Sequence, residues 1–227
     1  MTQLTFELHE DNRVSRLEVA IEQLVIAGWT GRDAAAVQHH IDELAAIGVP
    51  APSSVPVYYR VAESLLTQQD VFQVLGAGSS GEAEPVIFAT ESGLWLTLGS
   101  DHTDRDAERA GVALSKQLCS KPVARQAWRW DSVKERADSL ELCSWIEESG
   151  QRIDYQRGTL AAIRTISSLI EGCPGAGMKP GTMMFCGTLG AIGGVRANPF
   201  FACELRDPDG HRSISLEYRT TALPIVS

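Results

Sequence analysis

Short apolar runs bounded by turn residues decide the fold class of this chain. Leu4, Phe6 and Leu8 alternate with polar neighbours, the period-2 pattern of a strand with one buried face. Val19 to Ile21, Leu24 to Ala27, Val57 to Val61 and Val71 to Leu75 read as further strands, with Gly28 closing the run that begins at Leu24. Pro85 to Ala89 and Leu94 to Leu98 form a strand pair around Thr90 to Gly93. Leu140 to Ile146 and Arg152 to Gln156 resemble a hairpin with Gly150 near its turn, and Thr182 to Cys186 is a short apolar strand. Phe200 to Arg206 and Ser213 to Arg219 straddle DPDG, a strong turn signal. Helical patterning is confined to three segments. One runs from an Asp33 cap to about Ile47 and stops at Gly48 and Pro50; a second covers about Asp104 to Leu118. The third, Thr159 to Glu171, places Leu160, Ile163, Ile166 and Leu169 or Ile170 on one side. Strands outnumber helices and do not alternate with them, which favours α+β over a doubly wound parallel sheet. No repeat or low-complexity linker divides the chain, so one domain over residues 1–227 is expected.

The charge balance narrows the partners. A net charge of -9 and a pI near 5.0 argue against nucleic acid and anionic membranes, since phosphates need a basic surface. The 5 cysteines are widely spaced and no CxxC occurs, so neither a zinc site nor a disulfide framework is indicated. The first residues lack a basic start and an apolar core, and no run approaches the ~18 apolar residues of a membrane span. A soluble cytoplasmic protein is the expectation.

The stretch GEAEPVIFATESGLWLTLGSDHTDRD, residues 81–106, puts acidic groups at both ends of a strand pair. Residues i and i+2 of a strand share a face, so Glu82 and Glu84 project together, about 7 Å apart along the chain. Two carboxylates that close repel unless a cation lies between them or one is protonated. A hard divalent cation meets that need, and carboxylate oxygens are its preferred ligands. Asp101 becomes a third ligand if the second strand returns to the same end. A polar edge strand with both glutamates in water is the alternative, and the residues alone leave both open.

Other residues carry possible chemistry. In VQHHIDELAAI, Val37, Ile41, Leu44 and Ile47 set an apolar helix face; His40 falls on it between Leu44 and Ile47, and Glu43 at its edge. His40 and Glu43 are i, i+3 neighbours, and a carboxylate that orients an imidazole makes a base able to activate water. An ordinary surface ion pair is the alternative. Lys116 offers a point charge to a substrate carboxylate or enolate, or is a solvated helix lysine. Thr188 in GTLGAIGG offers a hydroxyl and a backbone N–H to a substrate oxyanion, in a turn whose glycines allow close approach. That turn lacks nucleotide-binding patterns, and GAGSSG lacks a nucleophile elbow. Arg105 and Asp106 read as a structural ion pair, His102 as a turn histidine or a group behind Asp101, and Cys186 as core.

Taken in order, these segments resemble the fumarylacetoacetate hydrolase superfamily. Members carry an ExE pair, an aspartate in a segment like D-x-T-x-R-D, a lysine, and a late G-D-x-x-x-T-G-T-P-x-G-V-G element. Here the counterparts are Glu82 and Glu84, Asp101 in DHTDRD, Lys116 in LSKQL, and Gly181, Gly187, Thr188 and Gly193 in PGTMMFCGTLGAIGG. Leu189 stands where the family has proline. The match runs from about residue 25 to 220. It implies a metal at Glu82, Glu84 and Asp101, usually Mg²⁺ or Mn²⁺, with Ca²⁺ as a third candidate. It implies a layered mixed β-sheet roll of the family's C-terminal type with few flanking helices, and commonly a homodimer. Some members place an H-x-x-E pair on a helix that closes over the metal, and His40 and Glu43 match it, although GWTGRDAAAVQH is longer than the family's approach. Family substrates are small 2-oxo or β-dicarbonyl acids. The implied activity is C–C hydrolysis, with a metal-stabilised enolate and water activated by His40 and Glu43. Decarboxylation, hydration or isomerisation of a 2-oxo acid is a second reading, and a non-catalytic binding protein on the same fold a third.

Overall fold

The computed structural model describes residues 1–10, 13–46, 51–175 and 177–226, without the side chains at positions 40, 43, 44 and 46. Across its 8-stranded sheet the order is Arg13–Ile21, Thr2–Glu10, Gln126–Arg129, Gly93–Ser100, Ala83–Thr90, Thr182–Phe185, Gln23–Gly28 and Val57–Val61. Thr2–Glu10 pairs in parallel with Gln126–Arg129, and Thr182–Phe185 with Gln23–Gly28; the remaining pairs are antiparallel. A 5-stranded sheet follows the order Gln151–Thr159, Glu141–Glu148, Phe200–Asp207, Arg212–Leu223 and Val71–Leu75.

The apolar runs are continuous because the central strands are buried on both faces. Val25, Ile87, Leu96, Leu98, Trp128 and Met184 point into one core, where Leu142, Phe201, Leu205 and Tyr218 of the smaller sheet meet them. Their neighbours Leu24, Ile26, Val86, Phe88, Trp95 and Phe185 point into a second core. The large sheet encloses that second core by curling on itself. Phe6 and Phe88 stack with ring centroids 4.3 Å apart, although two strands lie between theirs. In a flat sheet three strand spacings would hold them about 14 Å apart. The result is the expected α+β architecture: a mixed-sheet roll, a second sheet packed on its outer face, and few helices.

Two local expectations change. Asp104 to Leu118 is not one helix. Thr103–Asp104 pairs with Ser79–Ser80, Ala107–Arg109 is a 3-10 turn, and only Val112–Gln117 is α-helical. Asp104 Oδ1 accepts from the Ala107 N–H at 3.0 Å and so starts the turn, and Gly111 at φ 153° separates it from the helix. Thr159 to Glu171 is likewise divided, because the strand Gln151–Thr159 claims its first residue. Leu160–Ala162 is a 3-10 turn, Ile163 is extended and bridges Gly31, and Thr165 caps the helix Ile166–Glu171. The strand Gln126–Arg129 shows no clean alternation, because Ala127 and Trp128 face different cores. The helix Ala34–Ala46 forms as expected, with Asp33 Oδ1 accepting from the N–H groups of Ala35 and Ala36 at 2.9 and 3.1 Å. Its expected stop at Ile47, Gly48 and Pro50 lies outside the described residues. All 5 cysteines are free and buried.

Phe88 is fully buried in the stack that closes the roll. Phe88→Ala is expected to cost about 3–5 kcal/mol in urea unfolding, whereas Val14→Thr at an exposed position should stay within about 0.5 kcal/mol.

Candidate metal centre

The hairpin of Ala83–Thr90 and Gly93–Ser100 brings the acidic residues together. Its register pairs Ala83 with Ser100 and Glu84 with Gly99, so Glu82 and Asp101 leave from the same end. The Asp101 N–H donates to the Glu82 carbonyl at 2.9 Å and joins the two exits. One carboxylate oxygen from each of Glu82, Glu84 and Asp101 lies within 4.8 Å of the others. Asp101 and Glu84 are buried and Glu82 is partly exposed. Glu82 and Glu84 line a cavity of about 510 Å³ with Lys116, Glu108, Gly187 and Tyr59.

Cations surround the triad. Lys116 Nζ donates to Asp101 Oδ2 and stands 3.8 Å from Glu82 Oε2. Lys121 Nζ donates to the His102 carbonyl at 2.6 Å and lies 3.1 Å from Asp101 Oδ1, an ion pair outside hydrogen-bond geometry. Arg105 lies 3.1 Å from Glu82 Oε1 and 3.0 Å from Glu108 Oε1, rather than pairing with Asp106 as the sequence suggested, and donates to Ser80 Oγ at 2.7 Å. Burial would raise the Asp101 pKa, but Lys116 and Lys121 outweigh it and hold the carboxyl at about 2. For Glu84 burial dominates, and the Asp101 and Glu82 charges add to it, so its carboxyl sits well above the usual range. His102 is pushed down to about 3 by burial and by Lys121 and Arg105. It stays neutral between Tyr218 and Ser79, each 2.9 Å from a ring nitrogen, and supports the strand exit.

This donor set suits a hard divalent cation. It offers three carboxylates, one of them raised well above the usual range by burial and by the Asp101 and Glu82 charges, and Asp101 Oδ1 is buried without a hydrogen bond. A positive ion between them relieves the repulsion that raises Glu84.

The glycine-rich turn serves the triad through its backbone. The Gly187 N–H donates to Glu84 Oε2 at 2.7 Å. Gly187 has φ 98°, and a Cβ there would lie 1.7 Å from Thr30 Oγ1, so only glycine fits. Thr188 lines the cavity, but its hydroxyl is committed: it donates to the Ala83 carbonyl and accepts from Gln156 Nε2, both at 2.7 Å. It is therefore not the hydroxyl donor to an oxyanion that the sequence suggested. The Thr188 N–H is used by no hydrogen bond among the described residues. Gln156 also donates to the Leu189 carbonyl and accepts from the Ala83 N–H and Ser144 Oγ, which ties the turn to the hairpin. His40 and Glu43 lie in the helix Ala34–Ala46, whose first turns line the cavity through Asp33, Ala36 and Val37. Position 40 follows Ala36 by one helical turn; the side chains of His40 and Glu43 lie outside the described residues. Sequence reasoning missed Lys121, Glu108 and Gln156. Each sits in a segment whose local pattern shows only its own turn or strand, and only the tertiary fold brings it to the triad.

Residues 27–218 match the family model described as "Protein of unknown function (DUF2848)". The chain belongs to this family. No curated protein matches the sequence of this DUF2848 member. Solved structures share its architecture. Fumarylpyruvate hydrolase from Pseudomonas aeruginosa, in complex with Mn²⁺ and pyruvate, superposes with TM-score 0.59 at 14% identity, over 98% of this chain and 97% of that one. The 5-carboxymethyl-2-hydroxymuconate delta-isomerase from Mycobacterium smegmatis gives 0.61 at 17%, over 92% and 81%. A fumarylacetoacetate hydrolase family protein of yeast gives 0.60 at 15%, over 89% and 94%. The DUF2848 chain therefore has the fumarylacetoacetate hydrolase fold.

The two buried carboxyls act oppositely on stability. Glu84 is raised, so its contribution is present below the unfolded pKa near 4.3 and is lost as pH rises through the folded value. Asp101 is depressed, so its contribution is present above about 3.9 and is lost as pH falls towards 2. With metal chelated away, Glu84→Gln is expected to melt several degrees above the parent at about pH 8 and to match it near pH 4. Thermal melts across pH check this, and a variant that melts below the parent at the higher pH contradicts it.

Proposed function

We propose that this protein is a divalent-metal-dependent enzyme of the fumarylacetoacetate hydrolase type that cleaves a C–C bond in a small 2-oxo or β-dicarbonyl acid. The observation that carries the reading is the convergence of Glu82, Glu84 and Asp101 beside Lys116, with Glu82, Glu84 and Lys116 lining a cavity of about 510 Å³. A fold neighbour that binds Mn²⁺ and pyruvate supports it. Glu82, Glu84 and Asp101 would hold the ion, and Mg²⁺ or Mn²⁺ there would supply Lewis-acid polarisation and a template for the substrate's carboxylate and 2-oxo oxygens.

The chain's own groups perform the rest. Lys116 faces the negative charge of the substrate carboxylate and of the enolate that C–C cleavage releases. The free N–H of Thr188 is the turn's donor to developing oxyanion charge. His40, oriented by Glu43, takes a proton from water as its oxygen bonds to the distal carbonyl carbon. The C–C bond then breaks with its electron pair on the α-carbon, and His40 returns the proton there. A small acid and a 2-oxo acid leave.

Metal binding and chemistry are separable. Mn²⁺ at about a thousandfold excess over its Kd should stabilise the parent by about 4 kcal/mol, and Glu82→Gln should abolish the effect. Unchanged metal content in that variant by elemental analysis contradicts the ligand assignment. His40→Ala should slow hydrolysis of an acylpyruvate by about 10²–10⁴-fold. If it equally slows decarboxylation of an oxaloacetate-like acid, the dyad does not serve water activation alone.

A further inference from the structure

A cation of the chain already sits against two of the triad's carboxylates. We propose that Lys116 is a displaceable resident cation: its ammonium holds Asp101 and Glu82 together until a divalent ion takes those oxygens, and the displaced ammonium then turns to the cavity. This inference rests on the metal reading of the triad. It adds an order to it, in which metal binding arms the lysine that meets the acid substrate.

The geometry singles out Lys116 among the three cations. Its Nζ contacts two of the three candidate ligands, Asp101 Oδ2 directly and Glu82 Oε2 at 3.8 Å. One oxygen from each of those carboxylates is also needed to complete the triad within 4.8 Å. An ion held by those carboxylates and an ammonium bound to them compete for the same negative charge. Lys121 cannot yield, because it is fully buried and its Nζ is fixed to the His102 carbonyl at 2.6 Å. Arg105 is held by Ser80 and Glu108 whether or not Glu82 stays. Lys116 alone of the three lines the cavity that Glu82 and Glu84 share, from the last turn of the short helix Val112–Gln117. It also has a second seat, for the Tyr59 ring centroid already lies 5.9 Å from its Nζ. An ammonium released from carboxylates retains a favourable partner over an aromatic face.

Charge gives the exchange a functional sense. Lys116 and Lys121 both face Asp101, and Arg105 is shared between Glu82 and Glu108. A divalent ion adds positive charge to that set, and a displaced Lys116 carries part of it to the cavity. The site then attracts a small carboxylate only after it is loaded.

Amine footprinting on the full-length protein, with calorimetry of Mn²⁺ binding, tests this. With Mn²⁺ bound, acylation of Lys116 by a small N-hydroxysuccinimide ester should rise several-fold, while Lys121 stays unlabelled. Lys116→Met should bind Mn²⁺ about tenfold tighter, the factor expected if the ammonium occupies the site about nine-tenths of the time. Lys116 labelling that is unchanged or falls while calorimetry shows Mn²⁺ bound overturns the inference and leaves the metal reading standing. Equal or weaker Mn²⁺ affinity in Lys116→Met also overturns it. If neither protein binds Mn²⁺, the metal reading itself fails and this inference with it.

Discussion

Asp101 is fully buried between two lysines, and the candidate site depends on that arrangement. A lone carboxylate at such a position would be protonated, because burial disfavours its charge. Lys116 and Lys121 keep it ionised, and the hydrogen bond from its N–H to the Glu82 carbonyl fixes it beside the ExE pair. The curled sheet exists around this point. Its central hairpin is buried on both faces, so the hairpin end is rigid and three acidic side chains are presented at one place.

Concentrating charge this way sets the three carboxylates against one another. Glu84 is the carboxyl that no lysine holds directly, and burial together with the Asp101 and Glu82 charges raises its pKa. Affinity for a cation at such a position can be drawn from the relief of that repulsion. Gly187 shows the same compromise on the backbone. Its left-handed conformation brings an N–H to Glu84 at a place where any Cβ would collide with Thr30.

Much of this was legible in the sequence, and the limits have physical causes. The strands could be read because apolar runs bounded by glycine or DPDG have few other uses. The ExE pair and Asp101 could be read because a tight hairpin must bring its two ends together; here it turns at Glu91 and Ser92. The helices were over-extended for a definite reason. Leu160, Ile163, Ile166 and Leu169 are all buried, as helical spacing implied, but a strand end, a 3-10 turn and a short helix achieve the same burial. Thr188 misled because a hydroxyl in a glycine-rich turn looks available until its partners are seen. Lys121 gave no signal at all, since its role depends on a contact with Asp101 twenty residues earlier in the chain.

The metal assignment can be tested by anomalous diffraction from crystals soaked in Mn²⁺, with data on both sides of the manganese edge. A peak within about 2–2.6 Å of oxygens from Glu82, Glu84 and Asp101 is the result expected of a metal-dependent enzyme built on this triad. Clear density for the three carboxylates with no peak between them, or a peak bound elsewhere, would contradict it.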